Sequence, residues 1–340
     1  MNPRAAMAIA AERLPLPDRV TRAGIAVLVD RMSRRLQHVD PGAQDAFAQA
    51  MADRPIAEHT ADANAQHYEL PPEFFARILG PQRKYSCCLY DGVASLDQAE
   101  ERALAETALH AELADGQRIL ELGCGWGSLT LWMARQYPAA HIVAVSNSRS
   151  QGGFIRAEAA RLGLDNIRVV TDDVNSFEAG ARFDRIVSVE MFEHVSNWVA
   201  LLDRVHGWLL PQGRLFLHVF SHCAMPYRFD HADKGDWIAR HFFTGGIMPS
   251  HGLLRQLPCA FTIEGEWRWS GAHYRRTAED WLANFDRQTA AVNAVLRAVY
   301  GAEATLWRRR WRLFFLATAG LFGARDGAEW GISHYRLQPR

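Results

Sequence analysis

Residues 118–136 read RILELGCGWGSLTLWMARQ. The apolar run RILEL (118–122) passes through glycines 123, 125 and 127 into a segment with helical spacing, which reads as strand, tight turn and helix. A glycine-rich turn lets a ligand approach the backbone with no Cβ in the way, and the first turn of the next helix offers unpaired N–H donors. Working outward, further short apolar runs alternate with helical segments: HIVAVS (141–146), IRVVT (167–171), RIVSVE (185–190) and RLFLHVF (214–220). That alternation implies an α/β fold, Rossmann-like, with a doubly wound, mainly parallel sheet covered on both faces. In such sheets ligands bind beyond the carboxyl ends of the strands, so the residues after each run are the ones to inspect.

Before this region, helix-like spacing in GIAVLVDRMSRRL (24–36) and a polar stretch near 43–67 suggest a helical extension over 1–84. The core then covers 85–225, and 226–340 forms a substrate-binding cap together with the C-terminal part of the core. After about 225 the strand pattern gives way to Gly/Pro punctuation, with helices expected from Thr277 onward. Six of the 11 tryptophans fall between Trp267 and Trp330, which suits either a packed helical layer or the wall of an apolar pocket.

Of the 340 residues, 49% are apolar and 22% charged, which excludes disordered and fibrous classes. Lys plus Arg and Asp plus Glu both total 38, so no net field gathers a nucleic-acid backbone. The apolar stretch 313–324 is far short of the roughly 20 residues that span a bilayer. Glu12 and Arg13 interrupt any leader-like apolar run, and the five cysteines form no C-x-x-C pair, which together suggest a cytoplasmic protein with reduced thiols. The helix carrying Arg31, Arg34 and Arg35 can rest on a membrane surface, on the catalytic domain, or on a second copy in a homodimer.

The glycine turn alone is compatible with a nucleotide, NAD or S-adenosylmethionine, and no P-loop pattern is present. No carboxylate follows the second run. Asn147 and Gln151 can bond a ribose there, Glu121 can hold the amino end of a methionine-bearing cofactor, and the Asp172-Asp173-Val174 segment can accept a bond from an adenine amino group. The densest chemistry is in VEMFEH (189–194), where Glu190, Glu193 and His194 offer proton acceptors and anionic groups that stabilise positive charge. Eight of the 14 histidines lie between 194 and 273, but no metal-ligand spacing appears and no metal is expected.

The ordered segments KYSCC (84–88), ELGCGWG (121–127), SNSRSQ (146–151), SVEMFEHV (188–195), LFLHVFSH (215–222), HFFTGGIMPS (241–250), GAHYRRTAEDWL (271–282) and LFGARDGAEWGISHY (321–335) resemble the cyclopropane fatty acid synthase family of S-adenosylmethionine-dependent methyltransferases. The likeness is strongest to its coclaurine N-methyltransferase branch and runs from about residue 68 to the end. It implies a class I methyltransferase with S-adenosyl-L-methionine against Tyr85, Ser86, Gly123, Gly125, Gly127, Asn147, Gln151, Asp173 and Val174. In the N-methyltransferase branch, Glu190, Glu193 and His194 then orient and deprotonate an amine, with Phe322 and Trp330 as an aromatic wall. In the lipid-modifying branch a bicarbonate base is held by the counterparts of Cys87, Glu193, His218 and Tyr274. That branch has a small residue in place of Glu190 and an aliphatic one in place of Phe220, and a carboxylate at 190 suits a cationic amine better. The expected reaction is N-methylation of a small aromatic amine. The alternatives are methylene or methyl transfer to an unsaturated fatty acyl chain and, third, cofactor binding without catalysis.

Overall fold

The structure, a computed structural model, describes residues 12–38, 40, 42–58, 70–233 and 235–340. The first eleven residues, where no leader is expected, lie outside it, as do residues 59–69 of the polar stretch.

Strands β1 (Arg118–Leu122), β2 (His141–Ser146), β3 (Ile167–Thr171), β4 (Phe183–Val189) and β5 (Leu209–His222) fall on the five apolar runs. Their residues read as near-continuous Val/Ile/Leu because helices cover both faces of a parallel sheet. Ile119 and Leu120 of β1, at the centre, are fully buried. Two short strands, β6 (Tyr227–Arg228) and β7 (Ile247–Met248), pair only with each other.

Two further long strands follow residue 225, β8 (Phe261–Ser270) in the region expected to be Gly/Pro-punctuated and β9 (Trp330–Pro339) in the region expected to be helical. The seven-stranded sheet runs β3-β2-β1-β4-β5-β9-β8, and β9 pairs antiparallel with both its neighbours. Compact apolar runs mark neither. β8 (FTIEGEWRWS) is an outer strand whose apolar Phe261, Ile263, Trp267 and Trp269 alternate with polar residues rather than forming a compact run, and β9 (WGISHYRLQP) is interrupted by Gly331 and ends in Pro339, both poor in strand propensity. Register across these strands sets Trp267 beside His334 and His334 beside His218.

Between β8 and β9 the chain forms helices Gly271–Arg287, Thr289–Tyr300 and Ala304–Phe322, the first beginning six residues before the expected Thr277. Trp281, Trp311 and Phe285 are buried among them and Trp330 beneath them, so these aromatics pack a helical layer. The helix Asp18–Gln37 lies on this layer: Arg22 forms two bonds to Glu279, and Arg312 bridges Asp18 and Asp286. Arg31, Arg34 and Arg35 are exposed. Among the described residues no helix is long and apolar enough to cross a membrane.

Candidate active site

Gly123, Gly125 and Gly127 follow β1 with φ of 79°, 51° and 78°, a region that L side chains rarely occupy. A Cβ on Gly123 would lie 2.5 Å from Met191 Cγ, and one on Gly127 would lie 2.7 Å from Ile155. At Gly125 nothing lies within 4 Å. Two glycines therefore fit the turn against neighbouring side chains, while the middle one opens onto a cleft over the carboxyl ends of the strands.

Tyr85, Ser86, Glu121, Gly123, Gly125, Asn147, Gln151, Val174, Glu190 and His194 line this cleft. Asp172 lines it in place of Asp173, whose carboxylate accepts the N–H of Asn175 at 2.8 Å. The Gln151 Oε1 accepts the Ser146 hydroxyl at 2.7 Å, and its buried amide nitrogen has no partner among the described residues. An orphaned donor in a cleft wall is costly unless a ligand takes it, and a ribose hydroxyl is the right chemistry. Glu121 is buried with the Thr130 hydroxyl on one oxygen, and burial pushes its pKa up to about 8. A cation placed beside it would restore its charge. Both residues thus fit a nucleoside cofactor with a cationic amino end.

Glu190 follows β4 with a φ of 47°, and its N–H donates to the His218 carbonyl at 2.8 Å. A left-handed non-glycine residue of this kind costs on the order of 1–3 kcal/mol and persists only where its surroundings fix it. The fixing is visible: Oε1 accepts the Cys87 N–H at 2.8 Å and lies 3.2 Å from His218 Nε2, while Oε2 accepts the Tyr274 hydroxyl at 2.7 Å. Three of the residues expected to cage a bicarbonate therefore surround a carboxylate of the chain itself. With these donors engaged, the site does not fit a bicarbonate. Cys87 contributes its backbone N–H, since its thiol turns to the Cys88 carbonyl and burial keeps it protonated.

The model for the family described as mycolic acid cyclopropane synthetase matches residues 57–327. The chain belongs to that family. (S)-Coclaurine N-methyltransferase of Thalictrum flavum subsp. glaucum is 33% identical over 285 residues, 82% of this chain and 79% of the relative. The crystal structure of coclaurine N-methyltransferase bound to N-methylheliamine and SAH superposes with a TM-score of 0.91 at 30% identity, covering 98% of this chain and 99% of that one. Cyclopropane-fatty-acyl-phospholipid synthase of Escherichia coli (strain K12) is 30% identical over 274 residues, 78% of this chain and 66% of the relative. The protein is thus an S-adenosylmethionine-dependent methyltransferase of this family with the class I fold.

In this methyltransferase the other expected site residues separate by depth. His194 faces the cleft with its ring stacked on Phe243 at 5.2 Å, and burial holds its pKa down at about 4, so the imidazole is neutral at pH 7. Glu193 is fully buried, with the Phe220 N–H on Oε1 at 2.6 Å and no partner among the described residues for Oε2. Burial, then the charge of Glu190, raises its pKa well above the carboxylate range and keeps it protonated. Phe322 stacks on Tyr274 at 4.4 Å, and the Trp330 Nε1–H donates to the Tyr227 hydroxyl at 3.2 Å. Both lie behind the cleft surface, Phe322 backing Tyr274. Among the described residues no group of three or more His, Cys, Asp or Glu is placed to hold a metal.

Sequence reasoning assigns no role to Lys84, which is buried and donates to Ser86 Oγ at 2.5 Å and the Cys87 carbonyl at 2.7 Å. It fixes the turn that presents the Cys87 N–H to Glu190. A buried lysine is an anomaly that composition cannot flag, because lysine is usually exposed.

Proposed function

We propose that this methyltransferase transfers a methyl group to the nitrogen of a small aromatic amine. The observation that carries the reading is the Glu190 carboxyl group fixed by Cys87, Tyr274 and His218 at the cleft wall, where burial raises its pKa and a cation received beside it would restore its charge. The names of the relatives support the choice of nitrogen. Phe243 stacks on His194, and Phe220 and Phe229 pack against Phe243, an aromatic cluster that backs the cleft at His194.

S-Adenosylmethionine supplies, when bound, an electrophilic methyl group on a cationic sulfur. The chain's part is to hold the nucleophile in line and keep water out. Gln151 and Asn147 would hold ribose hydroxyls, Glu121 the amino end, and the Asp172–Val174 segment the adenine. An amine attacks only through its free electron pair, so its proton must go to an acceptor. His194 is neutral and at the cleft, and takes that role. Glu190 stabilises the positive charge that develops on nitrogen. Glu193, expected to share the proton transfer, is a buried uncharged acid that holds the β5 backbone at Phe220 and acts as a positioning residue.

The test is incubation of the full chain with S-adenosylmethionine bearing a trideuterated methyl group and mixed amine and lipid extracts, followed by mass spectrometry. Retention of all three deuterons in an amine product, with a rate independent of added bicarbonate, is the expected result. A fatty acyl product that has lost one deuteron, or a requirement for bicarbonate, would refute it.

A further inference from the structure

Behind Glu190 runs a chain of ring-to-ring hydrogen bonds that the methyl transfer does not itself use. His218 Nε2 lies 3.2 Å from Glu190 Oε1, and His218 Nδ1 lies 2.8 Å from His334 Nε2. His334 Nδ1 lies 2.8 Å from His110 Nδ1, and His110 Nε2 lies 3.2 Å from Glu106 Oε1. His218 and His334 are fully buried and His110 nearly so, whereas the Glu106 side chain is 21% exposed. The row therefore leads from the cleft to the surface in four hydrogen bonds.

We propose that Glu190 exchanges its proton with solvent through His218, His334, His110 and Glu106 as cationic ligands enter and leave the cleft. The inference rests on the reading of the cleft as a site for a cationic amine. Its logic is a count of protons. A neutral imidazole has one N–H and one acceptor nitrogen, so three of them supply three protons for four contacts. The fourth must come from a carboxyl group at one end. With Glu106 ionised, His110 donates from Nε2 to it, His334 donates from Nδ1 to His110, and His218 donates from Nδ1 to His334. His218 Nε2 is then an acceptor, and Glu190 must be the acid that donates to it. With Glu190 ionised every proton has crossed its hydrogen bond to the outer partner, and Glu106 holds the fourth proton, in exchange with water. A cation beside Glu190 favours the second arrangement. Its departure favours the first, the proton returns by the same path, and no ring has to turn over.

The surroundings favour neutral imidazoles throughout. Burial holds His218 and His334 well below the ordinary imidazole range, aided by the positive charge of Lys84. Burial also lowers His110, opposed by Glu106 and aided by Arg336, which donates to the His110 carbonyl at 3.2 Å. Trp267 stacks on His110 at 3.9 Å, and Trp269 packs against both inner rings. Arg102 faces Glu106 at 3.6 Å, and Lys84, Cys87, Glu193, His194 and Tyr274 surround Glu190.

Glu106→Gln tests the proposal from the surface end, because a glutamine amide can donate to His110 and mimics the protonated acid. On the full chain without ligand, 15N NMR of labelled histidines reports which nitrogen of each ring carries hydrogen. The wild type should show His218 and His334 protonated at Nδ1, and Glu106→Gln should move both protons to Nε2. The acid limb of the pH–rate profile should fall by about one pH unit, the equivalent of one hydrogen bond to a charged group. Glu106→Ala, which leaves His110 with no side-chain partner there, should also lower the limb. Unchanged tautomers at His218 and His334 in both variants would overturn the proposal, as would an unmoved acid limb with an intact fold. If the tautomers respond but no amine is methylated, the relay stands and the substrate reading falls.

Discussion

Replacing Glu190 by glutamine removes a charge and almost no volume. In the wild type, Oε1 accepts the Cys87 N–H at 2.8 Å and Oε2 accepts the Tyr274 hydroxyl at 2.7 Å. An amide keeps one acceptor oxygen. The backbone N–H cannot turn away, so it retains that oxygen, while the Tyr274 hydroxyl can rotate to accept from the new NH2 group. The cost to folding is then that of one rearranged neutral hydrogen bond, about 1 kcal/mol. The cost to catalysis is larger, because a charge facing a developing ammonium inside a closed site contributes about 1.5–3 kcal/mol. At 1.36 kcal/mol per factor of ten, kcat should drop by roughly ten- to a hundredfold. The interaction with the charge created as the methyl group moves is lost only in the transition state and lowers kcat, and because the amine enters as a cation KM should rise as well, so that kcat/KM falls further than kcat. The assay is initial-rate kinetics on an amine identified by the deuterium experiment, with S-adenosylhomocysteine binding by calorimetry as the control for an intact cleft. Unchanged kcat in a folded variant would refute the role of Glu190, and a loss matched by lost cofactor affinity would reassign the residue to cofactor binding.

Gly123→Ala meets both a left-handed backbone and Met191, so it should lower stability by about 1–3 kcal/mol in denaturant titrations. Gly125→Ala meets only the backbone term, on the order of 1 kcal/mol, and should instead show its main effect as weakened cofactor binding in calorimetry. Burial raises Glu121 from 4.5 to about 8, so the neutral acid is the stabilised form: its contribution is full below pH 4.5 and is lost as the pH rises through about 8. Glu121→Gln should therefore gain thermal stability over the wild type across that window while binding the cofactor less well. Buried His194 acts in the opposite sense, its contribution being full above its ordinary value of 6.5 and lost as the pH falls toward about 4, which thermal melts at acid pH can follow. Phe322→Ala opens a cavity behind Tyr274 and should cost about 3–5 kcal/mol, measured by chemical unfolding.

The parallel core is legible in the sequence because each strand is local: RILEL or IRVVT announces itself by apolar content within five or six residues, and the glycines after β1 mark the turn. β8 and β9 are not legible in the same way. β9 lacks a clean alternation and owes its strand character to pairing between β5 and β8, whereas β8 alternates Phe261, Ile263, Trp267 and Trp269 with Thr262, Glu264, Glu266 and Arg268, a period-two signal that a search for compact apolar runs passes over. The candidate site divides similarly. Gly125, Asn147, Gln151, Glu190 and His194 follow strand ends and are found by inspecting strand ends. The depth of Glu193 beneath the cleft and the engagement of Cys87 through its backbone depend on rotamers and turns that no spacing encodes.

The link between Glu190 and His218 shows why. Glu190 stands one residue past β4 and is paired through its N–H to the carbonyl of His218 on β5, and its φ of 47° accompanies a carboxylate bonded to that same residue's ring. A small residue at 190 would leave Tyr274, His218 and the Cys87 N–H converging on a space, and an anion from solution would be the natural occupant. A glutamate there supplies the anion covalently. One substitution at a strand end can thus change the source of the active-site carboxylate from solvent to chain while the surrounding donors stay the same. The same β5 register that puts His218 under Glu190 puts His334 beside His218, so a carboxylate at 190 connects directly to the row of imidazoles ending at Glu106. A bound bicarbonate could carry its proton away by dissociating, whereas a tethered carboxylate cannot leave, and a proton path to the surface is what its attachment demands.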